Sequence, residues 1–157
     1  MDPHYRDLLS QNEEYLFLNG GCHVFASALH DRFRYQLVCV RHSSSGSVPH
    51  VYCRCEGYMV DVMGFTHERE VLDARFWNVP PFSAVLVTPA EIARYYVRSF
   101  PCPGLYADEQ FLTQARLRAE KRIVDYLRFY DGAFSQSIRP HPFLERTSEA
   151  DINSIFS

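Results

Sequence analysis

The chain has 157 residues, a formal charge of -3 and a pI near 6.1. That balance argues against nucleic-acid binding as the main activity, because such domains usually carry a concentrated basic surface. A hydrophobic share of 46%, with 15% aromatic residues, is enough for one domain with a sizeable core, placed over residues 1–138 with a polar tail over 139–157. The five cysteines, Cys22, Cys39, Cys53, Cys55 and Cys102, are an odd set without the spacing of a small disulfide scaffold, so reduced thiols in a cytoplasmic setting are expected. The opening MDPHYRDLLSQNEE is polar and unlike a secretory signal, and no apolar run approaches the roughly 18 to 20 residues of a membrane span.

In chain order, residues 5–18 read as a short helix. A second helix runs from Cys22 to about Phe33, because Cys22, Phe25, Ala26, Leu29 and Phe33 recur at helical spacing. YQLVCVRH (35–42) reads as a buried strand, and SSSGSVP after it reads as a loop that delivers His50. HVYCRC (50–55) and YMVDVM (58–63) form a hairpin across Glu56-Gly57. FSAVLVT (82–88) is a further strand. Thr88-Pro89-Ala90-Glu91 then reads as a capping box that opens a helix to about Val97. After the break at FPCPG, Asp108 caps a long helix through Phe129. The expected fold is α+β, with the Cys22 helix packed on an antiparallel sheet of these four strands and the long C-terminal helix covering another side.

The chemistry concentrates in NGGCHVFASAL. A cysteine at a helix N-terminus sits where unpaired backbone N–H groups and the helix dipole favour the thiolate. Gly20 and Gly21 leave room for a substrate backbone, and the Cys22 amide is an oxyanion-hole donor. Asn19 suits either a second donor or a turn and cap role. His23, next to Cys22, is a cleft-lining or structural residue.

A nucleophile needs a base, and the base an orienting group. If Glu56-Gly57 is a two-residue turn, Cys55 pairs with Tyr58 and Tyr52 faces Asp61. His50 is then on the same face as Asp61 and diagonal to it, about 7 to 8 Å away between backbones. A four-residue turn would set the two directly opposite. Cys53 and Cys55 have the other parity and read as core. The same parity weighs against a zinc site from Cys39, His50, Cys53 and Cys55, whose spacing also lacks paired C-x-x-C knuckles. No metal or other cofactor is expected. Tyr95, Tyr96, Phe100 and Tyr106 read as core aromatics rather than a substrate-facing group.

The order G-x-x-F-A-x-A-L around Cys22, then a strand, a loop, H-V, a short turn and a strand ending in Asp resembles the transglutaminase-like core of the papain-like cysteine-enzyme superfamily. The wording GGC and DVMGF is also similar to arylamine N-acetyltransferases. The resemblance covers Asn19 to about Phe65. It lacks the tryptophan that many transglutaminase-like cores carry two places after the histidine. It implies a catalytic triad of Cys22, His50 and Asp61, with thiol-based acyl chemistry on a peptide, isopeptide or glutamine amide. The matching partner is a protein or peptide substrate, as for a bacterial or phage effector that modifies a host protein. The alternative from another class is a catalytically inactive protein-binding module that retains the fold.

Overall fold

A computed structural model describes residues 1–44, 48–76, 82–93 and 108–132. The expected boundary at 138/139, the cysteine at 102, the FPCPG break and the aromatic residues at 95, 96, 100 and 106 lie outside the described residues.

The expected N-terminal helix is two helices, α1 (Pro3–Ser10) and α2 (Glu13–Leu18). The cause is local. Asp2 and Asn12 each accept a hydrogen bond from the backbone two or three residues on, Asp2 from the His4 N–H at 2.8 Å and Asn12 from the Tyr15 N–H at 2.9 Å. Each therefore starts a new helix rather than continuing one. Helix α3 spans Cys22–Phe33 as the periodicity requires, and it stops at Arg34, which adopts a left-handed conformation.

Among the described residues the sheet is fully antiparallel and has five strands, not four, in the order β4-β3-β2-β1-β5. Strand β1 is Gln36–His42, β2 is His50–Cys55 and β3 is Tyr58–Asp61. The strand expected over 58–63 ends at Asp61, because the chain turns there into β4 (Gly64–His67). Helix α4 (Glu68–Phe76) follows directly, and β5 is Phe82–Val87. The hairpin turn is the two-residue form: Glu56 and Gly57 both have positive φ, 51° and 83°, and Cys55 pairs with Tyr58. Thr88 and Glu91 form the reciprocal capping box. The Thr88 N–H donates to Glu91 Oε2 at 2.7 Å, and the Glu91 N–H donates to Thr88 Oγ1 at 3.2 Å. The long helix α5 runs over Glu109–Asp125 and not through Phe129. It breaks at Tyr126 before the short helix α6 (Leu127–Tyr130).

Strand alternation sorts the core into two layers. Leu37, Cys39, Val51, Cys53 and Val60 face α3 and belong to the larger cluster, together with Leu16, Phe17, Phe25, Leu29, Phe111 and Tyr130. Val38, Val40, Tyr52 and Met59 face the other way and are covered by Val71 of α4. Because β1 is buried on both faces, its centre reads LVCV without alternation. Helix α5 is tied to the N-terminal helices by ion pairs of Arg118 with Glu13 at 3.0 Å and Arg122 with Glu14 at 2.8 Å.

Candidate active site

The first residue of α3 is Cys22, with Gly21 as its N-cap. Packing requires a glycine at 21. A Cβ there would stand 3.1 Å from both the Leu16 carbonyl oxygen and Phe17 Cδ1, so the glycine admits the close packing of α2. Asn19 is also accounted for by the fold. It is the C-cap of α2, and its side-chain amide donates to the Tyr15 carbonyl at 2.9 Å. It caps the C-terminal end of a helix and not the N-terminal end, and one of its two amide N–H groups is taken by that carbonyl.

His50 opens β2 and Asp61 closes β3, so both stand at the same end of the sheet. The observed register, Cys53 with Val60 and Arg54 with Met59, puts Tyr52 across from Asp61 and His50 diagonal to it. The side chains close the remaining gap. His50 Nε2 lies 3.2 Å from Asp61 Oδ2, with His50 1% and Asp61 4% exposed. The second oxygen of Asp61 accepts from the Met63 backbone N–H at 2.9 Å. The carboxylate is thereby held by the turn between β3 and β4 on one side and holds the imidazole on the other.

With Nε2 directed at Asp61, the imidazole presents Nδ1 elsewhere. That atom is buried and outside a closed hydrogen bond, yet His50 and Cys22 determine each other's charge. Burial works against ionisation of Cys22, but His23 and His50 interact with its sulfur and hold the thiol well below the usual range. Burial likewise works against protonation of His50, and Asp61 and Cys22 together reverse it and raise its pKa. Each group thus shifts the other toward its charged form. The other described cysteines go the opposite way: burial pushes the thiols of Cys39, Cys53 and Cys55 up. Cys53 also donates to the Ala26 carbonyl at 3.2 Å, which fixes it as part of the α3 packing.

A supporting layer escapes sequence reasoning. The Tyr52 ring stacks beside that of His50, with centroids 6.0 Å apart. Its hydroxyl donates to Glu68 Oε1, and Arg54 pairs with the same carboxylate, Nε to Oε2 at 2.7 Å. Glu68 is the first residue of α4. No spacing in the sequence links it to Tyr52, since the contact exists only because α4 folds back over the second face of the sheet. Among the described residues, no group of three or more histidine, cysteine or acidic side chains is placed to hold a metal ion. No described helix is long and apolar enough to cross a membrane.

No family model, curated protein or solved structure matches this chain. Its functional reading therefore stands on the geometry of the site.

Proposed function

We propose that the protein performs thiol-based acyl chemistry on a peptide, isopeptide or glutamine amide, on a papain-like core of transglutaminase type. One observation carries the reading. Cys22, at the start of a helix, interacts with an imidazole that is itself anchored on a buried carboxylate. In this scheme the Cys22 thiolate attacks the amide carbonyl carbon, and the tetrahedral intermediate collapses to a thioester as the C–N bond breaks. The leaving nitrogen takes its proton from His50. Water or an amine then attacks the thioester with His50 as base, which restores the thiol. Asp61 keeps the ring oriented and stabilises its cationic form.

A second reading, a binding module that keeps the fold, is favoured by the closure of the site, since Cys22 is only 6% exposed. Alkylation separates the two. Intact-mass analysis with peptide mapping after brief, limiting treatment with iodoacetamide should find Cys22 modified first, with a thiolate that titrates below the roughly 8.5 of a free cysteine. In His50→Ala one of the two groups that lower the thiol is gone while burial still raises it, so the titration should move upward. An unchanged profile in folded His50→Ala would hand the protein to the binding-module reading.

A further inference from the structure

A polar route reaches Asp61 from outside the three site residues. One carboxylate oxygen of Asp61 engages His50, and the other accepts the Met63 N–H. That N–H belongs to the same peptide unit as the Val62 carbonyl, which accepts the hydroxyl of Tyr130 at 2.7 Å. The Tyr130 oxygen in turn accepts from Arg122 Nε at 3.2 Å, and Arg122 is anchored on Glu14 at 2.8 Å. The donors all point toward the carboxylate: Arg122 to Tyr130, Tyr130 to Val62, Met63 to Asp61.

Tyr130 is the last residue of α6 and is 1% exposed. Its ring stands edge-on to Phe25, with centroids 5.3 Å apart, and Phe25 belongs to the helix that Cys22 opens. The same short helix lies against the β3–β4 turn, since a Cβ on Gly64, where φ is 93°, would come 3.4 Å from the Phe129 carbonyl oxygen. The ring is thus fixed from two sides and its hydroxyl is aimed at the turn. In a closed interior, linked hydrogen bonds polarise one another. A donor on the Val62 carbonyl therefore strengthens the Met63 N–H as the donor that holds Asp61.

We infer that the Tyr130 hydroxyl is a positioning group for the reaction: through the Val62–Met63 peptide it holds the Asp61 carboxylate in the orientation that anchors His50. The inference rests on the reading of Cys22 as nucleophile, which gives that orientation its consequence. Other groups also bear on the pair, His23 on the thiol from α3, and Tyr52 beside the imidazole with Glu68 and Arg54 behind it. Removing the Tyr130 hydroxyl alters none of them.

The test uses the full chain. Tyr130→Phe keeps the ring against Phe25 and takes away the hydroxyl alone. Tyr35→Phe is the matched control, because its hydroxyl donates to the Tyr130 carbonyl at 2.8 Å and accepts from the Gly132 N–H at 2.6 Å. Those two hydrogen bonds hold the same short helix but do not lead to Asp61. Both variants should melt at lower denaturant. In Tyr130→Phe alone, the His50 imidazole followed by NMR should titrate at a lower pH, and alkylation of Cys22 by iodoacetamide at about pH 6.5 should slow on the order of tenfold. Tyr130→4-aminophenylalanine, which returns a donor to the Val62 carbonyl, should restore most of both. An unmoved His50 in folded Tyr130→Phe, or an equal shift in Tyr35→Phe, overturns the positioning role while the nucleophile reading stands. Should Tyr130→Phe not fold, the wild type decides: its Tyr130 hydroxyl proton should be protected from exchange and visible by NMR at low temperature, and its absence overturns the route at its first link. A wild-type Cys22 without a low-pH thiolate is a different failure. It sinks the nucleophile reading, and with it the part played by Tyr130 in the reaction, even where His50 shifts as expected.

Discussion

Cys22 and Cys53 are both buried in the same core cluster, and their thiols are driven in opposite directions. Around Cys53 there is burial, the neighbouring Cys55 and a carbonyl that accepts its proton, all of which keep it a thiol. Around Cys22 the same burial is outweighed by two imidazoles. Burial alone makes a cysteine inert; what makes one reactive is which groups are buried with it. The sharpest way to break this contrast is to remove each sulfur in turn. Cys22→Ala should abolish alkylation between about pH 6 and 7 along with any acyl transfer. Cys53→Ala should leave both in place and should cost stability by about 1 kcal/mol, through a lost weak hydrogen bond and a small cavity. Rate measurements by mass spectrometry and a denaturant melt read the two effects. Fast alkylation that persists in Cys22→Ala would mean the contrast has been assigned to the wrong residue.

Next in size is the carboxylate. Asp61→Asn keeps the acceptor for the Met63 N–H but cannot hold the imidazolium, and the neutral ring is then free to take the wrong tautomer. The expected loss in acyl transfer is on the order of 10² to 10⁴. The pH profile gives the sign independently. Without the carboxylate the raised pKa of His50 falls, so the imidazolium is lost at a lower pH than in the wild type, and the Cys22 thiolate, with less cationic support, forms at a higher pH. A variant that folds, yet keeps wild-type rate and profile, would show that Asp61 serves only the β3–β4 turn.

How far the site could be read from residues depended on whether each contact is local. The register of the β2–β3 hairpin follows from two turn residues, and once it is known, His50 and Asp61 must share a face. The bounds of α3 follow from an apolar stripe and a glycine pair. The turn that ends β3 at Asp61 was not legible, because GFTH is four residues without alternation and too short to announce a strand. The helix after it, EREVLDARF, has only a weak apolar stripe, so α4 went unread, and with it Glu68 beneath Tyr52. Gly21 was legible as a required glycine but not for its cause, since the α2 carbonyl that excludes a Cβ comes from tertiary packing. The pull of His23 on the sulfur is equally tertiary, because a helix start fixes where its first side chains stand and not what they meet.

A smaller effect would sharpen the contrast from the other side of the sheet. Glu68 takes the Tyr52 hydroxyl and the Arg54 guanidinium together, and Tyr52 flanks the His50 ring. In Glu68→Gln the amide oxygen still accepts from Tyr52, but Arg54, which is 28% exposed, loses its counter-charge while keeping access to water. The cost is therefore that of a partly buried charged hydrogen bond, about 1 to 3 kcal/mol in a denaturant melt. Glu68 touches neither the sulfur nor the ring nitrogens, so the alkylation rate at Cys22 should fall by less than tenfold, and the pH at which the thiolate titrates should stay where it is. Tyr52→Phe tests the same link from the nearer residue: it leaves a buried carboxylate oxygen short of one donor but keeps the ring beside His50, and it should reproduce the stability loss with the profile again unmoved. If either variant shifts the thiolate titration while the protein stays folded, the support beneath His50 is part of what sets the charge of the site, and the two buried cysteines differ by more than their immediate neighbours.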